Sequence, residues 1–173
     1  MAPLRLRPAT AVDSEALHAL VSAHVREGHL LPREQSEIAR HAARFIVAER
    51  DGEICACAEL APLSATVAEV RSLVVAGTCR RNGVASRLIE ELRSRALSSG
   101  FERLCAFTHD ARFFARQGFS IVPHVWVPDK ISTDCLACPL FRNCGQHAMV
   151  LPLHVTSRRA ASLPAVPQRM AVA

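Results

Sequence analysis

The chain of 173 residues has room for one domain with a substantial core and none for a second catalytic domain, since half of it is apolar and 21% charged. Its formal charge of +5 rests on twenty arginines and a single lysine, Lys130, scattered over every segment. That scatter favours an anionic small molecule over nucleic acid, and one tryptophan with no tyrosine leaves no stacking platform for bases. No uncharged apolar run is long enough to span a membrane, and Arg5, Arg7 and Asp13 interrupt any signal core, so a cytoplasmic protein without membrane association is expected.

In chain order, Leu4 and Leu6 alternate with Arg5 and Arg7 as an opening strand, and Thr10 with Asp13 three residues on forms an approximate capping box. A helix follows with Leu17, Leu20, Val21 and Val25 on one face, and Pro32 suits the first turn of a second short helix running to about Ala43. The stretch RFIVAERDGEICACAEL reads as two strands joined at Asp51-Gly52, a strong hairpin signal, and TVAEVRSLVV continues the meander. From Gly83 to Ser99, Val84, Leu88, Leu92 and Ala96 recur at helical spacing, Glu91 and Arg95 stand as an i,i+4 pair, and Gly100 ends the helix. Then come strand RLCAF, short helix ARFFARQ stopped by Gly118, strand FSIV, an irregular stretch bearing Pro and Cys, and a last strand AMVLPL. The order β-α-α-β-β-β-α-β-α-β-β predicts a mixed α/β sheet as one domain over residues 1–156. Residues 157–173 lack periodicity and read as a flexible C-terminal tail.

The stretch RRNGVAS breaks a strand and opens a helix. Helix starts present unpaired N–H groups and a partial positive charge, so phosphate binds there when small residues let it approach. Arg80, Gly83 and Ala85 fit the R-x-x-G-x-G/A pattern of the GNAT N-acetyltransferases, which this chain resembles, with Ala85 at the second glycine. The two N-terminal helices, the hairpin and the segment FFARQGF fall where that family has them. The resemblance implies a mostly antiparallel central sheet flanked by helices, with acetyl-CoA as co-substrate. It assigns Val74, Val75, Arg80, Gly83, Val84, Ala85 and Ser86 to cofactor contact.

A closer resemblance, from about Leu4 to Leu153, is to the short, single-domain N-acetylglutamate synthases, carried by GHLLPRE, AEVRSLVV, FTHDARFFARQGF, PDKISTDCLACP and CGQHAMVL. The chain departs from that pattern at Asp129, where the family has His, and at Gly145-Gln146, where it has Asp-Glu. The implied acceptor is L-glutamate or a close amino acid, in the chemistry of arginine biosynthesis. Two rivals stay open: a GNAT enzyme acting on another small amine, and a non-catalytic acetyl-CoA sensor. The oligomeric state is not legible, and a homodimer is compatible with these residues.

Acetyl transfer to an amine needs a base for the amine, a polarised thioester and a proton for the leaving thiolate. Glu69 matches the position where several GNAT enzymes carry a general base, and in a strand it shares a face with Arg71, a guanidinium suited to a carboxylate. Against this stands a plain Glu69–Arg71 surface ion pair. Arg33, on the family's acceptor wall, is the second candidate partner for a carboxylate, and a solvated first-turn arginine is its alternative. Many GNAT enzymes reprotonate the thiolate with a tyrosine, but Phe114 stands there; His109 and water remain as proton sources. Cys135, Cys138, Cys144 and His147 have spacing that would suit zinc, but buried free thiols are the default and no metal is assigned. The seven cysteines, an odd number, likewise point to reduced thiols rather than a disulfide framework.

Overall fold

The computed structural model describes residues 3–26 and 30–153; the tail expected from residue 157 lies outside the described residues. Seven strands form one sheet: β1 (Arg5–Pro8), β2 (Phe45–Arg50), β3 (Glu53–Pro62), β4 (Val67–Val75), β5 (Arg103–Thr108), β6 (Ser120–Val122) and β7 (His147–Pro152). Their spatial order is β1-β2-β3-β4-β5-β7-β6. Every neighbouring pair is antiparallel except β4–β5. The helices are α1 (Ser14–Arg26), α2 (Gln35–Arg40), α3 (Val84–Ser98), α4 (Ala111–Arg116) and α5 (Pro128–Thr133).

The period-two alternation of the strands sorts their side chains between two helical layers. Ile46, Ala48, Ala56, Ala58, Leu60, Ala68 and Val70 face α3, whose buried stripe is Val84, Leu88, Leu92 and Ala96. Phe45, Val47, Cys57 and Val74 face the other way, against Leu17 and Val21 of α1 and Ile38 of α2. The small residues of β3 let α3 lie close to the sheet, and each large side chain buried there contributes about 1.5–3 kcal/mol. Asp51 (φ 53°) and Gly52 (φ 82°) both take the left-handed conformation a two-residue hairpin turn requires. At the N-terminus Asp13 accepts from the Thr10 N–H at 2.8 Å and from both Arg7 terminal nitrogens, which ties β1 to the start of α1. Those bonds hold the Asp13 carboxyl well below the usual carboxylate range, the Arg7 contact being the largest cause.

Differences from the sequence reading are local. The second helix ends at Arg40 and gives way to a 3-10 turn over Ala42–Arg44. Arg95 reaches the Ala43 carbonyl at 3.0 Å, a contact to another layer that its i,i+4 spacing from Glu91 does not foretell. The stretch read as irregular contains α5, opened by Pro128 in its first turn. No helix among the described residues is long and apolar enough to cross a membrane.

Candidate active site

Strands β4 and β5 pair only over Val67–Glu69 with Arg103–Cys105. Beyond that point β4 runs on to Val75 while β5 pairs with β7, so the two strands diverge and leave a wedge between them. The wedge opens into a cleft of about 800 Å³ that runs from Arg33 and Lys130 past Val74 and Val75 to Ala85. Its direction follows from a bulge: Ser72 (φ 48°) and Leu73 on β4 together oppose Ala58, which sits alone between Cys57 and Glu59. The extra residue resets the alternation, so Glu69 and Arg71 before it and Val74 after it share one face.

At one end of the cleft α3 begins at Gly83, whose φ of 68° is left-handed, while a Cβ built there would meet nothing within 4 Å. Glycine is needed here for its backbone conformation and not for room. Arg87 N donates to Gly83 O at 3.1 Å, and as in any helix the preceding N–H groups, those of Val84, Ala85 and Ser86, point out of the first turn. Arg80 folds across this opening, with Nε on the Val75 carbonyl at 3.0 Å and Nη2 against His24 Nε2 at 2.9 Å. Because a guanidinium only donates, His24 Nε2 accepts, and its Nδ1–H donates to the Leu20 carbonyl at 3.0 Å. The Ser86 hydroxyl accepts from Gln117 Nε2 at 3.1 Å, which fixes it beside α4. A left-handed glycine, small Ala85, a cation at the rim and a strand edge that β5 leaves uncovered suit a diphosphate with an extended arm.

At the other end lies a cluster of ions. Glu69 is 3% exposed, and its Oε2 accepts from Arg71 Nε at 2.5 Å and from Lys130 Nζ at 2.8 Å. Asp134 Oδ2 bridges the same two cations, contacting Arg71 Nη2 and, at 2.9 Å, Lys130 Nζ. The Phe107 ring lies 5.5 Å from the ammonium. Burial works against the Arg71 charge, but Glu69, then Asp134 and Glu59, raise its pKa above the ordinary arginine value. Glu59, opposite Arg71 in the β3–β4 register and 1% exposed, takes Arg33 Nη1 at 2.9 Å, while its buried Oε1 has no partner among the described residues. Arg33 completes its contacts with both Glu37 oxygens, at 2.7 and 3.1 Å, and with the Ser72 hydroxyl at 3.2 Å.

The described residues thus bring Glu69, Arg71 and Arg33 to one end of the cleft, and Val74, Val75, Arg80 and Ala85 along it to the other; Gly83, Val84 and Ser86 form the helix start behind. The ion pair expected between Glu69 and Arg71 is present, with Glu69 buried, Arg71 half-buried and Lys130 joined to it, and Arg33 is held by two carboxylates, those of Glu37 and Glu59. His109 lines the cleft where β5 gives way to α4, and a Cβ on Gly145 would lie 3.6 Å from its ring. Phe114 is buried edge-on to Phe113 and Phe119, so no hydroxyl stands at that position. Sequence reasoning missed Lys130, Asp134, Glu59 and Ser72; the one usable signal was that Lys130 is the sole lysine, four residues before an acid on what proves to be α5. Among the described residues no three of His, Cys, Asp or Glu gather as a metal site would need. Cys55, Cys57, Cys79 and Cys105 are buried free thiols, Cys135 and Cys138 are half-buried, and Cys144 is exposed.

A family model described as acetyltransferase (GNAT) family matches residues 14–119. An uncharacterized N-acetyltransferase of Chlorobaculum tepidum is 30% identical over 148 residues, which cover 86% of this chain and 96% of that protein. The amino-acid acetyltransferase of Pseudomonas putida is 34% identical over 117 residues, 66% of this chain but 27% of that protein, so this chain matches about a quarter of that relative's length. Among solved structures, N-acetylglutamate synthase from Neisseria gonorrhoeae, complexed with coenzyme A and N-acetyl-glutamate, aligns with a TM-score of 0.79 at 26% identity, over 89% of this chain and 36% of that one.

Proposed function

This chain belongs to the GNAT acetyltransferase family and is an acetyl-CoA-dependent N-acetyltransferase, and we propose that its acceptor is the α-amine of L-glutamate or a close amino acid. The observation that carries the proposal is the ion cluster: a buried carboxylate, Glu69, with one oxygen held by two cations, beside a second arginine, Arg33, in one cleft. A zwitterionic acceptor needs that combination, an acid for its ammonium and cations for its carboxylates. The likeness to the Pseudomonas putida amino-acid acetyltransferase and to the gonococcal synthase supports it.

In this reading acetyl-CoA supplies the activated acetyl thioester. The N–H groups of Val84, Ala85 and Ser86 would hold its diphosphate, with Gly83 setting the backbone turn that opens the helix and Arg80 adding charge. The edge of β4 at Val74 and Val75, which β5 does not cover, would hold its extended arm, and the Val75 N–H would polarise the thioester oxygen. Glu69 Oε2 is anchored by Arg71 and Lys130, so Oε1 is the oxygen that takes the amine proton, directly or through water. His109, on the cleft wall, returns a proton to the departing thiolate, a role Phe114 cannot fill. Arg71 and Arg33 receive the acceptor's carboxylates.

Steady-state CoA release, followed by mass because the chain's own cysteines react with thiol dyes, tests this. Glutamate and glutamine share the α-carboxylate and differ in side-chain charge. One of Arg33→Ala and Arg71→Ala should therefore lose the discrimination between them, and the other should lower both rates alike. Normal glutamate turnover in both variants would remove the glutamate assignment.

A further inference from the structure

Glu69 is locked in place, but the other carboxylate on the same two cations is not. The Asp134 side chain is 34% exposed against 4% for Glu69, 23% for Arg71 and 15% for Lys130. It stands at the C-terminal end of α5, a six-residue helix, and lines the cleft. Both of its ion contacts go through a single oxygen, Oδ2, so a rotation about its own side-chain bonds releases them together.

We propose that Asp134 is a built-in stand-in for the acceptor's carboxylate: it fills the two-cation seat made by Arg71 and Lys130, and an acceptor carboxylate takes that seat by displacing it. This rests on the amino-acid reading above and makes Lys130 and Asp134 specificity-determining residues of that site. The exchange swaps carboxylate for carboxylate at the seat, so neither half-buried cation loses its partner. An amine without a carboxylate gains nothing by entering, because it has nothing to offer Arg71 and Lys130 in return. An acceptor carboxylate seated there leaves Glu69 Oε2 anchored by the same two cations and Oε1 free to meet its amine.

Calorimetry with glutarate, which has two carboxylates and no amine to acetylate, reads the seat without turnover. Asp134→Asn and Asp134→Ala should each bind glutarate about tenfold tighter or more than wild type, since the internal competitor is gone. Asp134→Glu should restore the weaker affinity, and adding Lys130→Met to Asp134→Asn should abolish the gain. In parallel, the KM for glutamate should fall in Asp134→Asn while acetyl-CoA affinity and thermal unfolding stay close to wild type. Unchanged or weaker glutarate binding in both Asp134→Asn and Asp134→Ala overturns the proposal and makes Asp134 a fixed ion-pair partner. If that happens while wild type acetylates glutamate, the acceptor reading stands without the seat. If glutarate binding tightens but no α-amino acid is acetylated, the seat stands and the acceptor reading falls.

Discussion

Replacing Glu69 by glutamine is the sharpest perturbation the site allows, because it keeps shape and removes one charge at a buried point. Glu69 Oε2 faces two donors, Arg71 Nε at 2.5 Å and Lys130 Nζ at 2.8 Å, and neither tolerates an amide NH2. The glutamine carbonyl must therefore take the anchored place, which turns its NH2 toward the cleft where Oε1 stood. An acceptor of protons becomes a donor that opposes the incoming ammonium. Loss of a general base costs typically 10²–10⁴-fold, so kcat should fall by ~10²-fold or more near neutral pH. Stability should fall by only about 1–3 kcal/mol, since a neutral acceptor still meets both cations and Asp134 still bridges them. Acetyl-CoA affinity should stay near wild type, because the turn proposed to bind its phosphates is at the other end of the cleft. The kinetic loss should shrink as pH rises, since more acceptor amine is then already neutral. CoA release by mass from pH 6 to 9, with urea unfolding as the control, provides the readout. Wild-type kcat across that range would mean that Glu69 only holds Arg71 and Lys130 together.

Arg80→Ala and Gly83→Asp should raise the KM for acetyl-CoA far more than that for the acceptor; unchanged affinity of Gly83→Asp by calorimetry would remove the phosphate-binding assignment. Asp13→Asn should destabilise the fold by about 2 kcal/mol at pH 7, since Asp13 both caps the chain at Thr10 and pairs with Arg7. Its folded pKa is depressed, so that contribution is present above the unfolded value near ~4 and is lost as pH falls through the folded one. The gap between the two proteins in urea unfolding should accordingly be full above about pH 4 and narrow progressively as pH falls below it, and a pH-independent gap would contradict the ion-pair account. Iodoacetamide should modify Cys144 first, since burial pushes the Cys57 thiol up to about 12 and the Cys55 thiol up to about 11; peptide mapping that finds either of these ahead of Cys144 would contradict the burial described.

The fold was legible where spacing carries it. The stripe Val84, Leu88, Leu92, Ala96, the Asp51-Gly52 turn and the alternation of β2–β4 each tie a residue period to a packed face, and the sheet follows. The strand, glycine and helix start at the proposed cofactor end were legible for the same reason: they are local in sequence. The ion cluster proposed as the acceptor end is assembled from residues far apart in the chain. Glu69 and Arg71 were visible because two residues in a strand share a face. Lys130 joins Glu69 across 61 positions and Glu59 joins Arg33 across 26, and no local period reports such pairs. Ser72 gave no warning either, since serine is not a residue that turn chemistry demands at a positive φ, yet its bulge aligns the two halves of the cleft. The proximity of His109 to Gly145 likewise appears only once β5 and the segment before β7 are brought together.

One competition experiment addresses the acceptor most directly. Limiting acetyl-CoA is offered to wild type in an equimolar mixture of the twenty amino acids and simple polyamines, and the acetylated products are ranked by mass. N-acetylglutamate, or the α-N-acetyl form of a close amino acid, should lead the ranking, and Arg71→Ala should move product away from it. A leading product that carries no carboxylate, or a ranking that Arg71→Ala leaves unchanged, would contradict an acceptor site built on Glu69, Arg71 and Arg33.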